Sequence, residues 1–413
     1  MGRSMKCISR ATKISAVAAF GGLLLAGCGG DGGLTGTGGD NSGSVVKLGI
    51  SAPMSGDAAG WGIASEWLAK QAAEEINADG GVPTDDGNVT FEVVAEDNEY
   101  TAAGGTQAAQ TLLTRENVDF ISFSVGTAPV QALQSMTEQR EMVMLTSAWG
   151  KDLKGPEFPY TFTVINTPFE VLEPLATHVL EEHPDAQTIT LVGMNDATGT
   201  QTEEVARDVW QSKDIKVLSS NFYEHGTTEW APIATKLLRK EPDIMDLTTV
   251  APGAAGLLLR ALADQGWDGV TILSAGTGGA ALVETAGQAA EGVYMGLAAD
   301  YSGSTATEKQ RELEAALMEK TGENLNGVTI GSYDAVKALA AAIEEAGTID
   351  SQAVRDALPN ITFESSYGPS AFGAEDQYGS PQQILTPVII TQVLDGEVVE
   401  VDRVSPAELE ERL

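Results

Sequence analysis

Basic residues are scarce in this chain. Against 59 aspartates and glutamates it has 24 lysines and arginines, a formal net charge of −35 over 413 residues. With a pI near 4.2, its surface cannot neutralise a phosphate backbone or settle on an anionic bilayer, which argues against nucleic-acid binding and electrostatic membrane docking. Histidine and cysteine are scarcer still, at three and two. His178 and His183 stand five apart, about 140° around a helix, and so fail as a metal pair. Pro184 ends that helix, and solvated rings in its last turn would suit the helix dipole. His225 stands alone. The sequence holds no Gly-x-Ser-x-Gly elbow, no His-Glu-x-x-His, no Walker loop and no clustered Cys, so neither catalytic centre, metal site nor cofactor is expected. Gly276-Thr277-Gly278-Gly279 has the outline of a dinucleotide loop, but Ala281 occupies the third glycine position, which leaves a tight turn lining a cleft.

What is present begins with an address. Arg3, Lys6, Arg10 and Lys13 precede a short apolar stretch from Ile14 to Gly27, and Leu25-Ala26-Gly27-Cys28 follows. That tetrapeptide resembles the lipobox of bacterial lipoproteins, which implies a signal peptide over 1–27 and an acylated Cys28 as the first mature residue. An ordinary signal peptide that happens to end in cysteine is the competing reading. Residues 29–44 contain eight glycines, with Leu34 as their one large apolar side chain, and read as a flexible tether. Beyond them no apolar run reaches the length of a membrane-spanning helix, so the protein is expected to be tethered to a membrane without crossing it. At 42% hydrophobic the remainder is a folding composition, long enough for two or three domains.

From Val45 short β-rich runs alternate with longer helical ones, the signature of parallel sheets with crossover helices. The first series predicts a strand at 45–50, a helix with Ala64, Leu68, Ala72 and Ile76 on one face, a strand at 89–95, a helix at 102–113, a strand at 120–123, a helix at 129–140 and a strand at 143–145. A second series runs from Pro168 to a strand at 270–273. Helices at 308–320 and 332–346, a Gly- and Ser-rich stretch at 365–381 and strands near 384–393 and 398–401 complete the pattern. Two similar series suggest two similarly built lobes.

Open α/β sheets bind ligands at the C-terminal ends of their strands. Phe123-Ser124-Val125-Gly126-Thr127-Ala128-Pro129 sets a hydroxyl at the start of a helix, where unpaired N–H groups and a partial positive charge favour a carboxylate. Two readings stand: Thr127 seats an anion, or it only caps its own helix. Ser147-Ala148-Trp149-Gly150 ends the neighbouring strand, and Trp61 follows the first strand at the same sheet edge. Each of these tryptophans reads equally as cleft wall or as core.

Taken with Ala73-Glu74-Glu75-Ile76-Asn77-Ala78-Asp79-Gly80-Gly81, Asp97, Ser332-Tyr333-Asp334-Ala335 and Tyr367-Gly368-Pro369 with Phe372, the order of these motifs resembles the extracytoplasmic solute-binding proteins of branched-chain amino-acid type ABC transporters, the leucine/isoleucine/valine-binding family. The resemblance covers 45–402. It implies the type I periplasmic-binding fold: two Rossmann-like lobes of parallel sheet with flanking helices, joined by three crossover hinge segments, with ligand trapped by hinge closure. Lobe 1 would comprise 45–164 plus 299–363, lobe 2 would comprise 165–298 plus 364–402, and 403–413 would form a tail.

It further implies that Thr127 binds the ligand carboxylate with backbone help from Ala148 and Gly150, beside Ser147 and Trp149, with Lys151 the nearest cation and Trp61 over the ligand body. On the second lobe Thr198 and Ala251 replace the tyrosines of amino-acid binders. The stretch expected to carry the ammonium-binding acid reads Ser274-Ala275-Gly276-Thr277, leaving Asp196 as a substitute. The expected function is non-enzymatic: a monomeric, lipid-anchored receptor that captures a small carboxylate or amino acid and delivers it to an ABC permease and its ATPase. A ligand-sensing receptor on the same fold and a lipoprotein enzyme are the alternatives.

Overall fold

The computed structural model describes residues 43–224, 226–276 and 278–413; the signal segment, Cys28, His225 and Thr277 lie outside the described residues. Strand and helix alternate from the start. The first series is β1 (Val45–Ala52), α1 (Ala59–Ala78), β2 (Thr90–Asp97), α2 (Ala102–Thr111), β3 (Phe120–Ser124), α3 (Thr127–Gln139), β4 (Met144–Thr146) and β5 (Thr161–Thr163). The second is α4 (Pro168–Glu182), β6 (Thr188–Met194), α5 (Ala197–Ser212), β7 (Lys216–Tyr223), α6 (Ala231–Leu238), β8 (Ile244–Asp246), α7 (Pro252–Ala263), β9 (Val270–Leu273), α8 (Gly279–Ala286) and β10 (Tyr294–Met295). Then come α9 (Glu308–Thr321), α10 (Gly331–Ala346), α11 (Ser351–Ala357), β11 (Thr362–Ser365), β12 (Gly368–Gly373), α12 (Glu375–Tyr378), β13 (Gln383–Leu385), β14 (Val388–Leu394), β15 (Glu397–Val404) and α13 (Ala407–Arg412).

These strands form two mixed, mostly parallel sheets, ordered β11-β12-β13-β5-β4-β3-β1-β2 and β15-β14-β10-β9-β8-β6-β7. Helices cover both faces, which is why the central strands are apolar throughout rather than alternating. Phe120 of β3 packs with α1 and α10 on one face, and Ile121 packs with α2 and α3 on the other. Small residues on α1 let α10 approach closely enough for the Ser332 hydroxyl to donate to the Ser65 carbonyl at 2.7 Å. In the second sheet α4 and α5 cover one face through Leu175 and Trp210, while α6, α7 and α8 cover the other through Leu237, Leu258 and Leu282.

Two segments depart from the expectation. The run 384–393, read as one strand, breaks at Thr386-Pro387, and its halves enter different sheets. Proline has no N–H to offer a ladder, so the chain changes sheet there. The Gly- and Ser-rich stretch, placed by expectation with the second lobe, contributes β12 to the first sheet, where β11 and β12 form a tight hairpin held by Ser365 Oγ donating to Gly368 O at 2.9 Å. His178 and His183 also differ from the solvated pair expected: both are half-buried with their rings against Tyr294, and His183 Nε2 lies 3.2 Å from the Tyr294 hydroxyl.

The chain passes between the sheets three times, at 164–167, 296–307 and 386–387. Lys154 is buried beside the first and third of these crossovers. Its ammonium donates to Gln383 Oε1 at 2.7 Å, Tyr378 OH at 3.2 Å and Thr167 Oγ1 at 3.3 Å, with Glu170 Oε1 at 3.7 Å as counter-charge. Burial pushes this ammonium down to about 8, against the pull of Glu170. Asn166 Nδ2 donates across to Pro387 O at 3.0 Å, tying the first passage to the third, and Thr391 Oγ1 of β14 donates to Ala298 O of the second at 2.8 Å.

Asp334 on α10 fixes the β11–β12 turn by accepting from Ser366 N at 2.6 Å and Ser366 Oγ at 2.8 Å. Burial pushes its carboxyl up to about 7, the Ser366 hydrogen bonds and Lys337 offsetting only part of that. The folded protein therefore holds this proton more tightly than the unfolded chain. The stability it contributes is complete below the unfolded carboxylate range and is lost as pH rises through about 7. Relative to Asp334→Asn, the wild-type melting temperature is expected to fall between about pH 4 and pH 7 and to level off above that window. A pH-independent difference between the two proteins in thermal scans would contradict a titrating Asp334.

Candidate functional site

The C-terminal ends of the two sheets' central strands face one another across a cleft that opens to solvent. Each sheet contributes helix N-termini to it, because a parallel strand followed by a helix leaves that helix's first N–H groups at the strand's C-terminal end. From the first sheet come Trp61 at the start of α1, Tyr100 after β2, Val125, Gly126 and Thr127 between β3 and α3, and Ser147, Ala148 and Trp149 after β4. From the second come Met194 ending β6, Thr198 in the first turn of α5, Thr249 and Val250 before α7, and Ala275 after β9. Among the described residues, no lining side chain bears a full charge.

Thr127 is the first residue of α3, not its cap. The N-cap is Gly126, and no side-chain cap hydrogen bond is made. The helix-cap reading of Thr127 therefore fails. Its side chain, 1% exposed, instead accepts a hydrogen bond at 2.8 Å from Thr198 Oγ1, which comes from the opposite sheet. The N–H groups of Thr127 and Ala128 have no acceptor within the helix, and Pro129 brings none of its own.

The neighbouring loops are set by a small polar network. Asn98 Nδ2 donates to Ser51 O at 3.1 Å and to Val125 O at 2.9 Å, tying the ends of β1, β2 and β3 together, while its Oδ1 accepts from Tyr100 N at 2.9 Å. Asp97 receives Met54 N at 2.9 Å and Glu99 N at 2.8 Å. Burial alone would raise its carboxyl, but these bonds and one from Ser55 outweigh that and hold it below the usual range. Trp61 and Tyr100 pack with ring centroids 5.8 Å apart. Trp61 and Trp149 serve both readings made of them: each lines the cleft while also packing on core, Trp149 on the cores of both sheets.

The remaining expected residues divide. Ser147 Oγ donates to Ser124 O at 3.2 Å, and the Ala148 N–H is already engaged by Thr146 Oγ1 at 3.0 Å. Ala275 lines the cleft, and its N–H donates to Thr248 O at 3.1 Å. Gly150, Asp196 and Ala251 are not among the lining residues. Gly150 lies directly behind Thr127, where a Cβ would come within 2.6 Å of Thr127 Cγ2. Asp196 caps α5 by accepting Gly199 N at 2.7 Å, and Ala251 N donates to Tyr223 OH at 3.4 Å. The side chain of Lys151 lies outside the described set.

Tyr100 escaped the sequence reading, although the rule that found Thr127 applies to it, since it follows a strand C-terminus at the same sheet edge. Burial, the nearby Asp196 charge and a hydrogen bond with the Thr198 side chain act on its hydroxyl, and the net effect is a strong upward shift. Its ring also explains Gly126. That residue has φ +91°, and a Cβ there would lie 2.9 Å from Tyr100 Cε2 and from Pro129 Cγ. Gly126→Ala is therefore expected to cost roughly 1–3 kcal/mol of stability in denaturant unfolding, from a left-handed backbone plus displacement of the ring. An unchanged unfolding midpoint would mean that neither constraint operates.

A family model described as "Periplasmic binding protein" matches residues 45–397. A leucine-, isoleucine-, valine-, threonine-, and alanine-binding protein of Pseudomonas aeruginosa is 23% identical over 329 residues, 79% of this chain and 86% of that protein. The crystal structure of a leucine binding protein from Thermotoga maritima superposes with a TM-score of 0.73 at 18% identity, covering 88% of this chain and 99% of that one. A solute binding protein of an ABC transporter from Rhodopseudomonas palustris BisB5, in complex with 3,4-dihydroxybenzoic acid, gives 0.73 at 18% identity, over 89% and 99%. Two α/β sheets with facing strand ends, a cleft between them and a family match over residues 45–397 converge: the chain belongs to the periplasmic binding protein family, as a solute-binding protein and not an enzyme.

Proposed function

We propose that this protein is the lipid-anchored substrate-binding component of an ABC importer, and that it captures a small carboxylate between two lobes that close about the three crossovers. The observation that carries the ligand class is Thr127: a buried hydroxyl at the start of α3, beside helix N–H groups without intrahelical acceptors, in a cleft whose described lining side chains carry no full charge. An anion held there is stabilised by dipoles rather than by a counter-ion. Trp61, Tyr100 and Trp149 supply flat apolar walls for an aliphatic or aromatic body. Asp196 caps α5 and no acid stands among the described lining residues, so an α-ammonium would find no carboxylate partner among them. The reading therefore favours carboxylic acids over zwitterionic amino acids.

Of two relatives, one supports it and one sets the alternative. The Rhodopseudomonas relative was crystallised with a hydroxylated benzoic acid, and the Pseudomonas relative is named for aliphatic amino acids, so both ligand classes belong in the test. The lobes follow from strand pairing: 45–163 with 308–385 around the first sheet, and 168–295 with 388–404 around the second. Thr127, Ser147 and Trp149 would engage the ligand first, and Thr198, Met194 and Ala275 would arrive on closure. Gly150 and Ala251 act from behind the wall, by admitting the Thr127 side chain and positioning the start of α7.

A thermal-shift panel of monocarboxylates, from acetate to 3,4-dihydroxybenzoate, run beside leucine and valine, tests the class, since binding to the native state raises the melting temperature. Carboxylates are expected to stabilise the wild type; stabilisation by amino acids alone would sink the carboxylate reading. Thr127→Ala is expected to weaken the best carboxylate by roughly 1–3 kcal/mol in calorimetry, the range for a hydrogen bond to a charged group. For the anchor, Cys28→Ala expressed with its own leader is expected to leave the membrane fraction for the soluble extract, whereas unchanged partitioning would remove Cys28 as the attachment point.

A further inference from the structure

β15 is the outer strand of the second sheet and ends at Val404; after Ser405 and Pro406 the chain enters α13, which seats on the first sheet. Leu409, 4% exposed, packs against Ala371 of β12 and Leu385 of β13. These two lie on the face opposite Phe372 and Ile384, which belong to the main core of that lobe. Glu408 Oε2 accepts from Ala374 N at 2.8 Å, and Arg412 donates to Glu408 Oε1 at 2.7 Å and to Pro359 O, just after α11, at 3.0 Å. Gly373 leaves the room this needs, since a Cβ there would lie 2.3 Å from Glu408 Oε1. Ala374 itself has φ +67°, a costly backbone for a residue with a Cβ, and the Glu408 carboxylate holds its N–H in place.

One end of this segment is thus fixed to each lobe. The second-lobe end is firm as well: β15 pairs with β14 up to Val404, and Arg403 Nη2 donates to Thr305 O of the second crossover at 3.3 Å. Between the two ends lie Ser405 and Pro406, a span of about 10 Å from Val404 to Ala407 even when fully extended, and the ring of Pro406 removes part of that freedom. In this structure the lobes are drawn together, with Thr198 Oγ1 donating to Thr127 Oγ1 across the cleft, and α13 is seated. A rotation that parts the lobes has to be absorbed at Ser405 and Pro406, or it lifts Leu409 off its seat and exposes Ala371 and Leu385 to water. We infer that residues 405–413 form a fourth connection between the lobes, a short strap whose seating on the first sheet limits opening and biases the empty receptor towards the closed arrangement.

The strap acts without touching the ligand. A receptor that opens less widely is competent to bind for a larger fraction of the time, so its apparent affinity is higher for any ligand that favours closure. Its role differs from that of Lys154, which sets the spacing of the first and third crossovers from within; the strap, running outside them, sets how far they turn. Residues 405–413 also lie beyond the stretch 45–397 that the family model matches, so nothing in that likeness accounts for them. The inference rests on the lobe closure proposed above but not on the charge of the ligand.

Two variants of the full chain separate a strap from a simple cover. Leu409→Glu unseats α13, whereas Gly-Ser-Gly-Ser inserted between Ser405 and Pro406 keeps the seat and slackens the tether. Openness is read as the radius of gyration of the ligand-free protein by small-angle scattering, seating as hydrogen exchange at the Ala374 N–H, and affinity by calorimetry with 3,4-dihydroxybenzoate and the same monocarboxylate panel. Both variants are expected to be more expanded than wild type without ligand and to bind the best carboxylate about threefold more weakly. Ala374 is expected to lose protection in Leu409→Glu and to keep it in the insertion variant. Saturating ligand is expected to return the insertion variant to the wild-type radius. The strap is overturned if the insertion variant matches wild type in ligand-free radius and in affinity, for then α13 only covers the sheet. Should Leu409→Glu misfold, the insertion variant decides alone, because it buries the same surface as wild type. If no carboxylate in the panel binds the wild type, the carboxylate reading falls while the ligand-free radii still decide the strap; if a carboxylate binds without compacting the insertion variant, closure fails and the strap with it.

Discussion

The ammonium of Lys154 has to be satisfied in an interior that punishes any unpaired charge, and meeting that condition fixes how the two halves of the molecule are joined. Its three N–H donors go to Gln383, Tyr378 and Thr167, and the ring of Tyr378 lies 4.3 Å beneath it. Thr167 ends the first crossover and caps α4, and Gln383 precedes the third, so one cation measures the distance between two passages of the chain. Glu170 closes the circuit by accepting from Thr167 N at 2.7 Å in the α4 capping box while also accepting from Tyr378. Removing Glu170 strands a buried charge, which is far more costly than the intact pair is stabilising, and removing a neutral partner leaves a buried donor unsatisfied. The crossovers can therefore twist as a set but not drift apart, and that is the geometry hinge closure needs.

With the crossovers held at one side, the only freedom left to the sheets is to open or shut at their facing strand ends, and the cleft chemistry is arranged around that motion. The first-lobe side is rigid before any ligand arrives: Asn98 binds three strand ends together, Asp97 holds the loop after β1, and Gly126 turns with a backbone few other residues adopt. The second-lobe side is sparser, offering Thr198, Thr249 and the apolar Met194, Val250 and Ala275. A preorganised half that selects and a simpler half that seals keep the ordering cost of binding low.

Much of this was legible in the sequence. The α/β alternation marked the central strands of both sheets because their two-sided burial leaves continuous apolar runs, and Thr127 and Ala148 stood out because strand C-termini are where such sheets bind. What escaped was decided by tertiary pairing. β5 is three residues long, β10 two, and both are strands only because longer neighbours recruit them. The run at 384–393 has uniform strand propensity, and only the missing N–H of Pro387 separates a strand of the first sheet from one of the second. Tyr100 was hidden for another reason: it sits at φ +54° two residues past Asn98, in a loop whose sequence looks merely polar and whose shape depends on contacts with β1 and β3.

The surplus of acid acquires a sharper meaning once the cleft is known. A chain with formal charge −35 repels small anions at long range, so an anionic ligand approaches against the field of the whole protein and is helped by salt that screens it. No acid stands among the described lining residues, and the described walls of the cleft are hydroxyl, aromatic and aliphatic. Fixed dipoles gain strength as water is excluded, whereas surface charges remain screened; the balance therefore shifts towards the anion as the lobes shut. A lysine or arginine in the cleft would hold an anion in the open state almost as well as in the closed one. Hydroxyls and helix N-termini bind strongly only after closure, and that difference between the two states is what makes the movement depend on the ligand.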